Sequence, residues 1–233
     1  MTPEGDAEER KFRRLWGPWD DTTPDGAAAL LDGFARPWWI SGGWAIEAFT
    51  GVGRPHKDVD VTVFRRDVEQ LRRHFHGRCD LWSAGSATLR PLDEQHPLPR
   101  WAGQIWIREH ALAPWLLDVV LNPGGPRRWV FKRDRAVSLP LEDATWVAAD
   151  GIRYLRPELV LAHKLRHARA VDDADLAATL PLLDPDAVAF LLRFVTRADP
   201  THRWRPLLEG ASRRRKSVRA GDPRHERSSV VRP

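Results

Sequence analysis

Residues 38–64 constrain the chain more than any other stretch. They read Trp38-Trp39-Ile40-Ser41-Gly42-Gly43-Trp44-Ala45-Ile46-Glu47 and, after a short gap, Arg54-Pro55-His56-Lys57-Asp58-Val59-Asp60-Val61-Thr62-Val63-Phe64. The bulky and β-branched residues at 38–41 favour a strand. Gly42-Gly43 lets the backbone turn sharply with nothing projecting, and 44–49 reads as a brief helix, so the glycines fall at its N-terminus. The unpaired N–H groups and partial positive charge of such an end suit a phosphate. The second strand alternates, which places Asp58, Asp60 and Thr62 on one face and Val59, Val61 and Val63 on the other. Gly-Gly by itself is usually only a turn, and Asp-x-Asp by itself is commonly a solvated strand face. Their conjunction between two apolar strands points to a site.

Carboxylates at i and i+2 of a strand face lie roughly 6.5–7 Å apart at Cα. They resist joint ionisation unless a cation is shared between them, and Mg²⁺ suits hard oxygen ligands. The stretch therefore reads as a nucleoside-triphosphate site, with amides for the phosphates and aspartates for the metal. Asp118 is the odd residue in Leu116-Leu117-Asp118-Val119-Val120-Leu121. An ionised Asp in so apolar a strand is costly without a metal, a partner or an outward face. Either it faces solvent from an edge strand, or it stands beside Asp58 and Asp60 on a neighbouring one.

Gly42-Gly43-Trp44, followed by Arg54, His56, Asp58 and Asp60 in the spacing Arg-x-His-x-Asp-x-Asp, resembles the nucleotidyltransferase superfamily. Within it the pattern is most similar to the aminoglycoside and lincosamide nucleotidyltransferase-like group. The likeness runs from about residue 25 to about residue 208 and is specific in its first third. It implies an α+β fold, a small mixed β-sheet flanked by helices and followed by a helical C-terminal subdomain. It implies Mg²⁺-dependent transfer of a nucleoside monophosphate, AMP from ATP, to a hydroxyl of a small molecule such as an aminoglycoside or lincosamide. Asp58, Asp60 and Asp118 would be the catalytic, metal-holding acids, Asp118 serving either as ligand or as the base that takes the hydroxyl proton. Ser41, Gly42 and Gly43 would lie under the phosphates, Ser41 bonding one or merely capping the helix. Arg54 and His56 would orient the loop or touch phosphate. Lys164, on a helix after the sheet, either reaches the triphosphate or is a solvated helix lysine. Trp38, Trp39 and Trp44 lie near enough to flank a base or an acceptor ring, although most of the 12 Trp residues read as packing.

Other functions compete. A nucleotidyltransferase acting on tRNA or protein would use the same site. The net charge of +5 at first favours nucleic acid, but the stretch 212–233 holds eight Lys or Arg against two Asp or Glu, which leaves the body near neutral. The electrostatic footprint of a nucleic-acid domain is thus weak. A metal-dependent glycosyltransferase, suggested by Asp-Val-Asp, would need a fuller α/β unit ahead of the motif. A non-catalytic, decayed site is opposed by the presence of all three acids. The acidic pair Asp93-Glu94 could meet a cationic acceptor, though surface acids are common. Cys79 is the single cysteine, so no disulfide framework or cysteine-based zinc site forms within one chain. No stretch approaches the ~20 apolar residues of a membrane span, and residues 1–14 do not read as a signal peptide. A cytoplasmic protein without membrane contact is expected.

The organisation expected is an N-terminal extension at 1–23, the nucleotidyltransferase-like domain at 24–155, a helical subdomain at 156–210 and a basic disordered tail at 211–233. Helices are expected at 24–35, 65–76, 157–170, 172–183 and 185–196 from apolar spacing and Pro, Gly and Asp punctuation, with a short one at 3–16. Strands are expected at 79–83, 104–108, 114–122, 145–148 and 151–155. Residues 128–132 should pair back as a hairpin after the Pro-Gly-Gly-Pro turn at 123–126, and 88–99 should form a loop.

Overall fold

The structure is a computed structural model that describes residues 11, 14–166 and 168–220, without the side chains of 215–220. Most of the helix expected at 3–16 and the tail beyond 220 lie outside the described residues. The chain divides into two compact units, Met1–Arg156 and Pro157–Pro233.

The first unit is a mixed sheet with helices. Its strands are β1 (Trp38–Ile40), β2 (Asp60–Phe64), β3 (Asp80–Gly85), β4 (Thr88–Pro91), β5 (Gln104–Arg108), β6 (Leu117–Asn122), β7 (Arg128–Val130), β8 (Ser138–Pro140), β9 (Thr145–Val147) and β10 (Arg153–Leu155). Eight of them make one sheet in the order β4-β3-β5-β6-β2-β1-β10-β9. β2 runs parallel to β6, and β1 parallel to β10. The helices are α1 (Pro24–Leu30), α2 (Gly42–Thr50), α3 (Val68–Phe75) and the single turn α4 (Leu141–Ala144). Val61, Val63, Ile105, Ile107, Leu117 and Val119 are fully buried, as are Leu71 and Phe75 of α3. That alternation of apolar residues in the central strands is what gives the sheet one dry face.

Three elements differ from the expectation, each for a local reason. The loop expected at 88–99 begins as edge strand β4, joined to β3 by the two-residue turn Ser86-Ala87. Both turn residues have positive φ, 50° and 55°, the backbone of a type I′ hairpin without the Asn-Gly that usually announces one. Pro91 closes β4 at the sheet edge, where a missing N–H is tolerated. Residues 128–132 do not pair back on β6; β7 pairs with β8 in a separate ribbon. The Asn122 side chain explains the departure. Its amide donates to the Val130 carbonyl at 2.9 Å and accepts from Gly124 N at 2.8 Å, so a side chain takes the place of a strand partner. Finally, β2 starts at Asp60 and not at Asp58. The Trp44 indole donates to the Asp58 carbonyl at 3.2 Å, and Val61 N turns back to Val59 O at 3.2 Å, so the ladder does not reach Asp58.

The segment before α1 is tied to the sheet unit. Trp115 N donates to Pro18 O at 2.9 Å, Asp20 N to Trp115 O at 2.8 Å, and the Trp115 indole to Trp16 O at 2.7 Å.

The second unit is helical: α5 (Pro157–Lys164), α6 (Ala170–Thr179), α7 (Pro185–Ala198) and α8 (Arg205–Ala220). The Asp184 side chain caps α7, accepting from Ala187 N at 2.7 Å, and Val188, Leu191 and Val195 form its buried stripe. Helix α8 continues past 211, where a disordered tail was expected to begin. Together the units have the α+β composition expected, with a larger sheet than the small one foreseen.

Candidate active site

The turn between β1 and α2 meets the first residue of β2. Ser41 N donates to Asp60 O at 2.8 Å, which sets the start of α2 against the start of β2. Gly42 has φ +65°, a conformation L side chains rarely adopt. A Cβ on Gly42 would also overlap the Asp60 carboxylate. A Cβ on Gly43 would collide with the Arg54 guanidinium and crowd His56 Nδ1. Gly42 is therefore required by both the turn and close approach, and Gly43 leaves room for the Arg54 and His56 side chains.

Ser41 does not cap α2 with its side chain. Its hydroxyl lies 3.1 Å from Thr62 Oγ1 and 3.4 Å from Asp60 O. His56 stacks on Trp44 with ring centroids 3.9 Å apart and meets Glu47 through Nε2 at 2.7 Å. The other end of this loop is held by the same carboxylate, which accepts from Arg54 N at 3.1 Å. Glu47 thus pins both basic residues of the motif. Sequence reading passed over it, although it stands one helical turn after Gly43.

Asp118 sits opposite Asp60 in the parallel β2–β6 pair. Side chains paired in this way share a sheet face, on strands about 4.8 Å apart. The solvent-facing edge-strand alternative for Asp118 fails, because β6 is flanked by β5 and β2 and the residue is only 5 % exposed. Gln104 Nε2 donates to Asp118 Oδ2 at 2.5 Å, and Asp118 Oδ1 is buried without a hydrogen-bond partner among the described residues. Burial, then the fields of Asp60 and Asp58, push the Asp118 carboxyl well above the usual carboxylate range. Lys132 and the Gln104 hydrogen bond act in the opposite direction. The Lys132 ammonium donates to Gly103 O at 3.0 Å, and burial lowers its pKa. Gln104 and Lys132 were not foreseen. A polar residue at the head of the apolar strand 104–108 was the available signal for the first; none in the sequence pointed to the second.

Asp58 lies in the loop before β2, outside the alternation assumed for it. Among the described residues no group of three or more His, Cys, Asp or Glu side chains is arranged as a metal site. The orphaned, buried Asp118 Oδ1 beside Asp60 nonetheless fits a cation, since Mg²⁺ is commonly held by one or two carboxylates with the remaining positions filled by water and substrate phosphates. Lys164, at the end of α5 in the second unit, has its ammonium 3.0 Å from Asp172 and 3.1 Å from Asp175; those two carboxylates account for the cation without a phosphate. Asp93 is engaged by its own loop, accepting from His96 N at 2.8 Å and Gln95 N at 2.9 Å. No helix among the described residues is long and apolar enough to cross a membrane.

Comparison with known proteins agrees with the resemblance. Residues 27–81 match the family model described as Aminoglycoside-2''-adenylyltransferase, a stretch that holds the glycine turn, Arg54, His56, Asp58 and Asp60. Among solved structures the chain is similar to the antibiotic-resistance factor ANT(2'')-Ia in solution, at 16% identity and a TM-score of 0.44 over 85% of this chain and 91% of that one. It is similar to a crystal structure of ANT(2'')-Ia with adenylyl-2''-tobramycin, at 18% identity and a TM-score of 0.48 over 73% and 93%. A third likeness is to the lincosamide adenylyltransferase LnuA bound to lincomycin, at 15% identity and a TM-score of 0.43 over 68% and 97%. No curated protein matches the chain. The family match meets the recognition made on the glycine turn and the aspartate strand, and with it the reading of the chain as a nucleotidyltransferase.

Proposed function

We propose that this chain, nucleotidyltransferase in type over residues 27–81, transfers AMP from ATP to a hydroxyl of a small molecule, with antibiotics of the aminoglycoside or lincosamide kind as the substrate class. The observation that carries the proposal is the in-register pair Asp60 and Asp118, with Asp60 packed against the Gly42 turn.

The chain's own groups divide the work. The N–H groups at the start of α2 receive the phosphate oxygens, with the helix dipole adding to the attraction. Gly42 and Gly43 keep the approach open. Glu47 holds His56 and the Arg54 main chain in place, and Arg54 and His56 face the phosphates from the loop. Asp58 and Asp60 would hold the divalent cation. When bound, Mg²⁺ neutralises charge on the reacting phosphoryl oxygens and aligns attacking and leaving groups. The acceptor hydroxyl oxygen bonds to the α-phosphorus as the bond to the β-phosphate oxygen breaks, releasing pyrophosphate; Asp118 serves there either as the base that takes the hydroxyl proton or as a further ligand of the cation.

The test is a thermal-shift panel of nucleoside triphosphates with and without Mg²⁺, followed by transfer of label from α-labelled ATP to candidate acceptors. Stabilisation by ATP only when Mg²⁺ is present is the expected result. Indifference to every nucleotide would overturn the proposal, and label appearing on tRNA but on no small hydroxyl compound would change its acceptor.

A further inference from the structure

The loop that carries Asp58, residues 51–59, has no regular structure between α2 and β2. Most of it is exposed, with Arg54, His56 and Asp58 half-buried. Val59, 1 % exposed, anchors the chain where it enters the sheet. The rest of the loop is held from one side, by the face of α2 that follows the glycines. Glu47 stands one turn beyond Gly43 and Trp44, so these three residues share that face. The Arg54 guanidinium fills the place a Cβ on Gly43 would take, with His56 Nδ1 beside it. Glu47 Oε2 meets His56 Nε2 at 2.7 Å and accepts from Arg54 N at 3.1 Å.

Trp44 makes two contacts of different kinds. Its ring stacks on His56, with centroids 3.9 Å and planes 17° apart; that ring face is closed to a nucleotide base. Its indole N–H donates to the Asp58 carbonyl at 3.2 Å. The second contact bears on the two acids that would share the cation. Asp60 is fixed by the β2 ladder, between β1 and β6, and by its close approach to Gly42. Asp58 precedes that ladder, and the Trp44 indole holds its main chain from the side of α2. Groups that orient a metal ligand are typically worth about 10- to 100-fold in metal affinity. Trp44 is also the third residue of the helix whose first N–H groups face the phosphates. One side chain thus ties the anion-receiving end of α2 to the loop of the first acid.

Resting on the nucleotidyltransferase reading above, we propose that Trp44 is a positioning residue of the metal site. Its indole N–H sets the main chain at Asp58 so that the Asp58 carboxylate reaches a cation shared with Asp60, and its stack on His56 holds the loop on α2.

The experiment titrates the full chain with Mn²⁺ alone and follows the loss of the free-ion electron paramagnetic resonance signal, at a temperature well below melting. Trp44→Phe keeps a ring for His56 and removes the donor. It should bind Mn²⁺ about tenfold more weakly than the wild type, and Trp44→Ala, which loses both contacts, at least as weakly. The Mg²⁺ concentration at which ATP gives half of its thermal stabilisation should rise by a similar factor in Trp44→Phe. Circular dichroism and Tm are recorded for each variant; if Trp44→Ala does not fold, Trp44→Phe still answers. Wild-type Mn²⁺ affinity in Trp44→Phe, whatever its Tm, would overturn the inference and leave the indole a packing role. The wild-type chain separates this failure from that of the enzyme class. If ATP with Mg²⁺ stabilises it while Trp44→Phe matches its Mn²⁺ affinity, only the role of Trp44 falls. If it neither takes up Mn²⁺ nor responds to ATP with Mg²⁺, the nucleotidyltransferase reading falls and the inference with it.

Discussion

Single residues at the site are constrained by contact. Gly42 combines a positive φ with a Cβ position already filled by the Asp60 carboxylate. Gly42→Ala is therefore expected to displace Asp60 and cut transfer by at least about 100-fold while the protein stays folded, as checked by steady-state kinetics beside circular dichroism. Asp118 permits a prediction with a definite sign. Its folded-state pKa is raised, by burial first and by Asp60 and Asp58 next. Between the unfolded value of about 3.9 and that raised value the native state binds the extra proton, so stability falls as pH rises through the window. Asp118→Asn removes the loss. In metal-free buffer the variant should melt at least about 3 °C above the wild type at pH 7, and the difference should vanish below about pH 4. The same variant should lose transfer activity by about 10²-fold or more, since a positioned base contributes about 10²–10⁴-fold. A variant that is both destabilised at pH 7 and active would contradict the assignment of Asp118.

At the scale of elements, the sheet unit is held by two junctions. One is the β1–α2 turn against the head of β2. The other is the segment 16–20 clasped to Trp115, which is 1 % exposed, bonds through N, O and its indole, and touches the rings of Trp19, Trp82 and Trp106. Trp115→Ala should cost about 3–5 kcal/mol, as truncation of a large buried aromatic does, measured by urea denaturation. The β1, α2, β5 and β9 elements were legible from apolar runs and glycine punctuation, because those signals are local. β4 was not, because its hairpin turn uses Ser86-Ala87 at positive φ, residues that carry no turn signature. The partner of β7 was not either, because the Asn122 side chain that diverts it is a contact eight residues away.

On the scale of the whole chain, the two units raise different expectations for charged residues. Lys164 reads in sequence either as a phosphate contact or as a solvated helix lysine, while in the helical unit it lies between Asp172 and Asp175, 1 % and 3 % exposed. Removing one partner of a buried ion pair is strongly destabilising. Lys164→Ala should cost about 3–5 kcal/mol, seen as a lower urea midpoint. An unchanged midpoint together with a raised ATP KM would return Lys164 to the triphosphate. Asp172 is held below the usual carboxylate range by hydrogen bonds from Arg169 and Lys164, against the opposing effect of burial. Its contribution is present above the unfolded value and is lost as pH falls through the lowered one.

What the amino-acid order decided by itself was the motif: the glycine turn, the short helix it opens, the alternating valines of β2 and the presence of an acid within the apolar run at 117–121. Those follow from backbone freedom and side-chain alternation over a few residues, and they need no partner. Only the tertiary structure decided that β6 lies parallel and in register with β2, that the ladder stops short of Asp58, and that Trp106 follows Asp118 across the sheet. Strand order and register are settled by which faces can be buried together across distant segments, and that information is not contained in any one of them.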